Sequence, residues 1–175
     1  MLRLLLAAAL VAGAAPSRAQ PTEEAVKAAF IPKFARYVEW PARAMPPARQ
    51  PFILCVIGHD PFGRLLDQSA ASETIAGRSV AVRRMATADG AAGCHLAFVQ
   101  GSSGAETTRL LLALRNQPIL TITDARAGPQ RGMVHFTVSG GRVRFFIDEA
   151  AAADRGMSIS SRLLALAIGV RQRRS

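Results

Sequence analysis

The sequence has 175 residues, half of them apolar, and its 22 lysines and arginines against 12 acidic residues give a formal net charge of +10. A chain of this length and apolar content can bury the core of one domain without metal ions or disulfides. The basic residues are mostly single arginines that cluster only at 83–84 and 171–174, and no zinc-finger or aromatic-rich ribonucleoprotein motif is present, which argues against nucleic-acid binding.

Residues 1–19 predict a signal peptide. Arg3 precedes an unbroken apolar run at 4–12, and Ser17-Arg18-Ala19 places small residues at the two positions that signal peptidase reads. We therefore expect cleavage after Ala19 and export to the periplasm. The apolar run is shorter than the roughly 20 residues that span a bilayer, so a retained membrane anchor is the less favoured alternative.

The mature domain, residues 20–175, keeps 20 basic and 12 acidic residues and so a net charge of +8. Outside the cytoplasm this charge favours contact with anionic lipid headgroups or with an acidic face of a partner protein. The excess of arginine is more simply explained by a GC-rich genome.

Residues 22–37 predict the first helix. Apolar side chains recur at the spacing of one helical face, and Thr22 is suited to cap the helix, with two acidic residues in the first turn. Pro32 removes one backbone hydrogen bond, so we expect either a kink at 28–32 or two shorter helices that meet there. A proline-rich segment at 42–50 predicts an exposed linker.

Four aromatic residues recur in this segment at three- and four-residue spacing: Phe30, Phe34, Tyr37 and Trp40. The favoured interpretation is that they belong to the core. The alternative is a partner surface or a homodimer interface, because an exposed aromatic patch of this size needs a protein to cover it.

From residue 52 onwards strands and helices alternate. The predicted strands are 52–57, 79–84, 94–99 and 119–123, and the helices between them are 60–68, with Asp60 as N-cap and Pro61 at its first position, and 105–116. This alternation predicts an α/β fold, a single domain with a mainly parallel sheet and helices on both faces.

The pattern changes towards the C-terminus. Residues 133–138 and 142–147 alternate in polarity around Ser139-Gly140-Gly141, which predicts an antiparallel hairpin at one edge of the sheet. Two closing helices are predicted at 148–155 and 161–170.

Two loops follow predicted strands at positions where α/β folds bind ligands. The loop at 58–63 lacks the G-x-G-x-x-G pattern, which favours a structural turn over a phosphate site. The loop at 101–104 matches neither a P-loop nor a nucleophile elbow, which favours a flexible loop. The carboxylates and histidines are scattered, so the sequence predicts no catalytic residue, no metal site and no cofactor. A small-ligand pocket, where one exists, is expected at the carboxyl ends of the strands.

Two cysteines, Cys55 and Cys94, remain in an exported chain. An even number of cysteines in an oxidising compartment favours a disulfide over a metal site, and two thiols alone cannot enclose a zinc ion. His95 lies beside Cys94, which leaves a catalytic Cys–His pair as the less favoured alternative.

Several motifs occur in order along the mature chain. They are KAAF at 27–30, KFARYVEWP at 33–41, CVIGHDPFG at 55–63, GCHLAFV at 93–99, GMVHF at 132–136 and ISSRLL at 159–164. Through these motifs the chain resembles the YfiR family of periplasmic proteins from residue 25 to residue 169.

The resemblance implies a protein that is not an enzyme. It implies a periplasmic repressor that holds a membrane-bound diguanylate cyclase inactive through its outer sensor domain, and so lowers cyclic di-GMP and biofilm formation. It also implies a disulfide between Cys55 and Cys94, in strands that can be neighbours in this type of sheet. A second disulfide, which some members carry near the hairpin, has no cysteines here.

Relatives also occur beside or fused to sensor kinases. The alternative function is therefore a small-ligand-binding periplasmic sensor that works with a histidine kinase or an outer-membrane receptor. The sequence departs from the pattern of many relatives at four positions: Pro32, His135, Phe146 and Asp148. The resemblance therefore predicts the fold more safely than the details of the partner-facing surface.

Overall fold

The computed structural model describes residues 20–172, so the predicted signal peptide lies outside the described residues. The helices are α1 Glu23–Phe34, α2 Arg64–Ala71, α3 Gly104–Leu114, α4 Glu149–Ala153 and α5 Ser161–Leu164. The strands are β1 Val38–Glu39, β2 Phe52–Gly58, β3 Thr74–Ile75, β4 Arg78–Met85, β5 Leu96–Gln100, β6 Leu120–Asp124, β7 Val134–Ser139, β8 Arg142–Asp148, β9 Ser158–Ile159 and β10 Gly169–Arg171. The predicted α/β class is confirmed.

Eight of these strands form one mostly parallel sheet in the order β10-β8-β7-β6-β5-β2-β4-β3. β2 pairs in parallel with both β4 and β5, which makes it an interior strand. β7 and β8 form the predicted antiparallel hairpin, and the short β10 pairs in parallel with β8 outside it. The remaining strands, β1 and β9, form a separate small antiparallel sheet in which Val38 lies opposite Ile159.

The sheet has an apolar core on each face. On one face α1 and α2 contribute buried side chains such as Phe34 and Leu66. On the other face α3 contributes Leu110 and Leu114. Because both faces are covered, β2 is apolar along its whole length, as strands buried on two sides usually are.

The first helix begins where the sequence predicts and ends earlier. Thr22 Oγ1 accepts a hydrogen bond from the Ala25 N–H at 3.2 Å. The helix continues through Pro32, and a 3-10 turn at Ala35–Tyr37 follows it. Pro32 lies in the last turn, so its missing N–H removes a hydrogen bond close to where the α-helix stops. The segment is therefore one helix with a tighter end, and not two helices that meet at 28–32.

The second helix begins later than predicted. Asp60 Oδ1 accepts the backbone N–H groups of Phe62 at 2.8 Å and Gly63 at 3.1 Å, and α2 starts only at Arg64. The prediction of Asp60 as N-cap is wrong because an aspartate side chain can close a turn on its own backbone before any helix begins. Arg84 holds this turn, with its Nε 2.7 Å from Asp60 Oδ2.

The last predicted helix, 161–170, is wrong in its second half. α5 ends at Leu164, and Gly169 in β10 lies opposite Phe146 in β8. Just before β10, Ile168 N donates to the Phe145 carbonyl at 3.0 Å. The apolar spacing of this segment fits a helix, but the free edge of β8 offers unpaired backbone groups that favour a strand.

Candidate partner surface and ligand pocket

The four aromatic residues of the predicted stripe lie in two different environments. Phe30 and Tyr37 are 40% and 37% exposed, whereas Phe34 and Trp40 are 1% and 8% exposed. The stripe is therefore divided between the core and the surface. For Phe30 and Tyr37 the role of a partner surface stays a prediction.

Phe34 and Trp40 serve the core. The Phe34 ring lies edge-on to the ring of Phe145, with centroids 5.1 Å apart. Trp40 Nε1 donates to the His95 carbonyl at 3.1 Å, and its indole lies edge-on to Phe52 at 5.2 Å. Neither side chain is available to a partner while the domain is folded.

An apolar surface forms around Phe30 and Tyr37 with the help of the segment after α5. Leu166, which is 60% exposed, lines a cavity of about 110 Å³ together with both aromatic rings. Buried residues form the rest of the apolar lining, and two cations lie at the rim. We call this set the α1–α5 patch: Phe30, Lys33, Phe34, Arg36, Tyr37, Phe145, Leu163 and Leu166.

The α1–α5 patch depends on contacts between segments far apart in the sequence. Ser160 N donates to the Tyr37 carbonyl at 2.8 Å, beside the pairing of β1 with β9. These bonds bring α5 and Leu166 next to the end of α1. Helical spacing over 161–170 does not identify Leu166, because its place beside Tyr37 depends on the pairing of β1 with β9.

A buried ion cluster fixes α1 to the sheet. Lys27, only 2% exposed, ion-pairs with Glu23 and with Asp124, the last residue of β6. Arg126 Nε lies 2.6 Å from Glu23 Oε1, and the Arg126 N–H donates to Asp124 Oδ1 at 3.0 Å. The hydrogen bond from Arg126 lowers the pKa of Glu23, which keeps this carboxylate charged. The cluster therefore sets where α1, and Phe30 with it, lies on the domain.

The loops after β2 and β5 line an open pocket of about 430 Å³, at the carboxyl ends of the strands where a ligand pocket is expected, and the chain's own groups occupy part of it. Glu106 Oε2 accepts the Ser102 N–H at 2.6 Å, so a carboxylate covers the start of α3 and opposes an anionic ligand there. Gly58 approaches Gln100 so closely that a Cβ on it would lie 2.2 Å from the Gln100 carbonyl oxygen. These contacts support a structural role for the loop at 58–63, and they show that the loop at 101–104, predicted to be flexible, is bonded to α3 through Glu106.

Another pocket, of about 350 Å³, lies on the sheet face of β7, β8 and β10. The guanidinium of Arg131 lies 4.5 Å above the ring centroid of Phe146, and His135 also lines the pocket. Arg171 forms another wall and ion-pairs with Asp148. Burial lowers the pKa of His135, and the charge of Arg131 lowers it further, so this imidazole is neutral at pH 7. This pocket lies on an open sheet face, apart from the one lined by the loops after β2 and β5.

Cys55 and Cys94 form a disulfide with their Cα atoms 5.9 Å apart. Cys55 lies in β2, and Cys94 lies two residues before the neighbouring strand β5. His95, the residue after Cys94, has a structural role, because its Nδ1 accepts a hydrogen bond from the Ile53 N–H at 3.0 Å. Neither sulfur is therefore a free nucleophile.

Among residues 20–172, no group of three His, Cys, Asp or Glu side chains is placed to hold a metal ion. None of the helices in the same range is long and apolar enough to cross a membrane.

Comparison with known proteins agrees with the motifs. A family model described as YfiR/HmsC-like matches residues 24–168, which confirms the resemblance. No curated protein matches the sequence. Because the matched segment covers most of the chain, this protein belongs to the YfiR/HmsC-like family.

Proposed function

We propose that this chain is a periplasmic binding protein that represses a membrane-bound diguanylate cyclase by contacting its outer domain through the α1–α5 patch. Repression lowers cyclic di-GMP and, with it, biofilm formation. Membership of the YfiR/HmsC-like family supports a regulator of this class. The structural observation that carries the proposal is a surface cavity between two exposed aromatic rings and an exposed leucine.

The mechanism follows from where an exported protein can act. Outside the membrane it changes cytoplasmic nucleotide levels only through a partner that spans the membrane. It represses that partner by binding its inactive state more tightly than its active state. Each tenfold change in the ratio of the two states requires a difference of about 1.4 kcal/mol between the two binding free energies. Aromatic side chains at the surface are suited to this because they contribute much of the energy of protein interfaces.

The same proposal makes the chain a binder and not an enzyme. The sulfurs of Cys55 and Cys94 are bonded to each other. His95 and His135 are buried, with a ring nitrogen of each engaged by Ile53 or Thr123. These groups therefore offer no pair of nucleophile and base, which supports a regulatory role.

Cyclic di-GMP in a deletion strain tests the proposal. Deletion is expected to raise the nucleotide level, and the wild-type chain to restore it. Leu166→Ser and Tyr37→Ser are expected to leave the level high although the protein accumulates in the periplasm. Leu112→Ser is the matched control, since Leu112 is 54% exposed but lies on α3, on the opposite face of the sheet.

A form that lacks residues 1–19 tests export in the same strain. It is expected not to complement, because it stays in the cytoplasm. An unchanged nucleotide level on deletion, or equal complementation by the unexported form, contradicts the repressor function.

The second candidate function is a small-ligand sensor that works with a histidine kinase or an outer-membrane receptor. The pocket on β7, β8 and β10 favours it, since about 350 Å³ is within the usual range for small-molecule sites. His135, Phe146 and Asp148, at which the sequence departs from many relatives, all line this pocket. Arg131 and Arg171 suit it to a small organic anion.

Thermal unfolding with a panel of aromatic and aliphatic carboxylates distinguishes the sensor from the repressor. A ligand that raises the melting temperature of the wild type but not of Arg131→Ala supports the sensor. No shift with any carboxylate, together with raised cyclic di-GMP on deletion, favours the repressor.

A further inference from the structure

We infer that the α1–α5 patch binds an amphipathic, acidic segment of its partner, with one large apolar side chain in the cavity and carboxylates beside Lys33 and Arg36. The inference rests on the proposed function and names the chemistry of the partner's contact. It follows from the size of the cavity, its rigid floor and the charge of its rim.

The size of the cavity indicates an inserted side chain. Its volume of about 110 Å³ is well below the roughly 300–1,000 Å³ of small-molecule pockets. The pocket on β7, β8 and β10 reaches about 350 Å³ in the same molecule. The α1–α5 patch therefore has room for one apolar anchor of a larger partner and not for a separate small ligand.

The floor of the cavity is already ordered. Phe34 and Leu163 are almost fully buried, and the Phe34 ring is held by Phe145 at 5.1 Å and by Phe136 at 5.6 Å. The wall is tied down where Ser160 bonds to the Tyr37 carbonyl. An anchor that enters the cavity meets a preformed surface, so less conformational entropy is lost on binding.

The rim of the cavity is positive. Lys33 and Arg36 line it, and no acidic side chain does. Arg36 forms an ion pair with Glu73, with Nη1 3.6 Å from Oε2, whereas Lys33 makes no ion pair within residues 20–172 and is the free cation of the rim in that range. Carboxylates on the partner would complement this rim and fix the orientation of the bound segment.

The same features disfavour a second copy of the chain as the occupant. Stable interfaces bury about 800 Å² on each partner, whereas the exposed apolar part of this patch consists of Phe30, Tyr37 and Leu166, each only partly exposed. A two-fold dimer here would also bring Lys33 and Arg36 of one copy close to those of the other. A partner of opposite charge avoids this repulsion.

Binding of two labelled amphipathic peptides to the mature chain tests the inference. The peptides share one apolar face of leucine and phenylalanine, and their polar faces carry either glutamates or lysines. Fluorescence anisotropy is expected to show at least about tenfold tighter binding of the glutamate peptide at low salt, with the difference falling as salt is added. Lys33→Glu is expected to reduce or reverse this preference, and Leu166→Ser to weaken binding of both peptides.

Two variants on α3 serve as controls. Arg109→Glu changes the charge by the same amount as Lys33→Glu, and Leu112→Ser removes an exposed leucine, both on the opposite sheet face. Both are expected to bind the peptides like the wild type, and circular dichroism checks that each variant is folded.

Four results would overturn the inference. They are equal binding of the two peptides, an Arg109→Glu effect as large as that of Lys33→Glu, a dimer in sedimentation that Leu166→Ser dissociates, and Leu166-dependent binding to phosphatidylglycerol vesicles. Because the peptide experiment contains no cyclase, it is independent of the deletion experiment. Peptide selectivity without any effect of deletion on cyclic di-GMP would reject the repressor function and leave the assignment of the surface in place.

Discussion

His95 shows how a single buried polar side chain joins separate segments. Its Nδ1 accepts the Ile53 N–H at 3.0 Å, its carbonyl accepts the Trp40 indole N–H, and its ring stacks on Phe52 at 4.7 Å. Because Nδ1 is an acceptor, protonation of the imidazole would place an Nδ1–H donor against the Ile53 N–H donor. Burial lowers the pKa of His95, which keeps the ring in its neutral form.

This arrangement predicts that the domain loses stability in mild acid. The unfolded chain binds a proton at His95 near pH 6.5, whereas the folded chain does so only at lower pH. The contribution of His95 is therefore complete above about pH 6.5 and is lost as the pH falls below that value towards the folded pKa. Urea unfolding at about pH 7.5 and about pH 5.5 is expected to give a lower free energy of unfolding at the lower pH.

His95→Asn is the matched variant, because its amide oxygen can accept the Ile53 N–H and does not titrate. Its loss of stability between the two pH values should be smaller than that of the wild type. Some loss should remain, since burial also lowers the pKa of His135. An equal loss in both proteins would show that His95 does not titrate as described.

At the scale of elements, α1 is attached to the sheet by charge as well as by apolar contact. Lys27 is buried between Glu23 and Asp124, at the end of β6. A buried cation is tolerated only where carboxylates and hydrogen bonds compensate its lost hydration. The ion cluster thus specifies the position of the helix that carries Phe30, Lys33 and the buried Phe34.

Replacing Lys27 by methionine is expected to lower the free energy of unfolding by about 3–5 kcal/mol, because Asp124 would remain buried without its cation. Adding Asp124→Asn should recover part of the loss, since the uncompensated charge is then removed. Arg126→Met is the control and should cost much less, because the Arg126 side chain is exposed. Urea unfolding measures all three, and equal losses for Lys27→Met and Arg126→Met would contradict the role of burial.

At the scale of the whole molecule, one sheet separates two apolar cores, and a disulfide joins β2 to the segment just before the neighbouring strand β5. The cysteines are 39 residues apart in sequence, and both are buried in the core on the α3 side. The disulfide therefore closes a loop that contains α2, β3 and β4.

Removing the disulfide by Cys55→Ala and Cys94→Ala together is expected to lower the free energy of unfolding by about 3–4 kcal/mol, because the unfolded chain regains the entropy of that loop. Mass spectrometry of the wild type, alkylated after denaturation without reductant, should detect no free thiol. Two alkylated cysteines in protein prepared from the periplasm would contradict the pairing. Thermal unfolding with and without reductant supplies an independent measure of the same contribution.

Local sequence determined the class of fold and most of its elements. Continuous apolar runs separated by helical spacing are sufficient for an α/β sheet, because the periods of strands and helices are imposed by backbone geometry. The hairpin was also predictable from the sequence. Gly140 and Gly141 adopt φ values of 58° and 70°, which the two-residue turn requires and which glycine adopts at little energetic cost. The cysteine pair and the family motifs were also evident without coordinates.

Tertiary structure alone decided which of the aromatic and apolar residues are exposed. Phe30 and Phe34 are four residues apart on one helix, yet only Phe34 has Phe136 and Phe145 beneath it, so only Phe34 is core. The free edge of β8 turned a segment with helical spacing into β10, and the pairing of β1 with β9 brought Leu166 beside Tyr37. These outcomes depend on contacts between distant segments, which local periodicity does not encode.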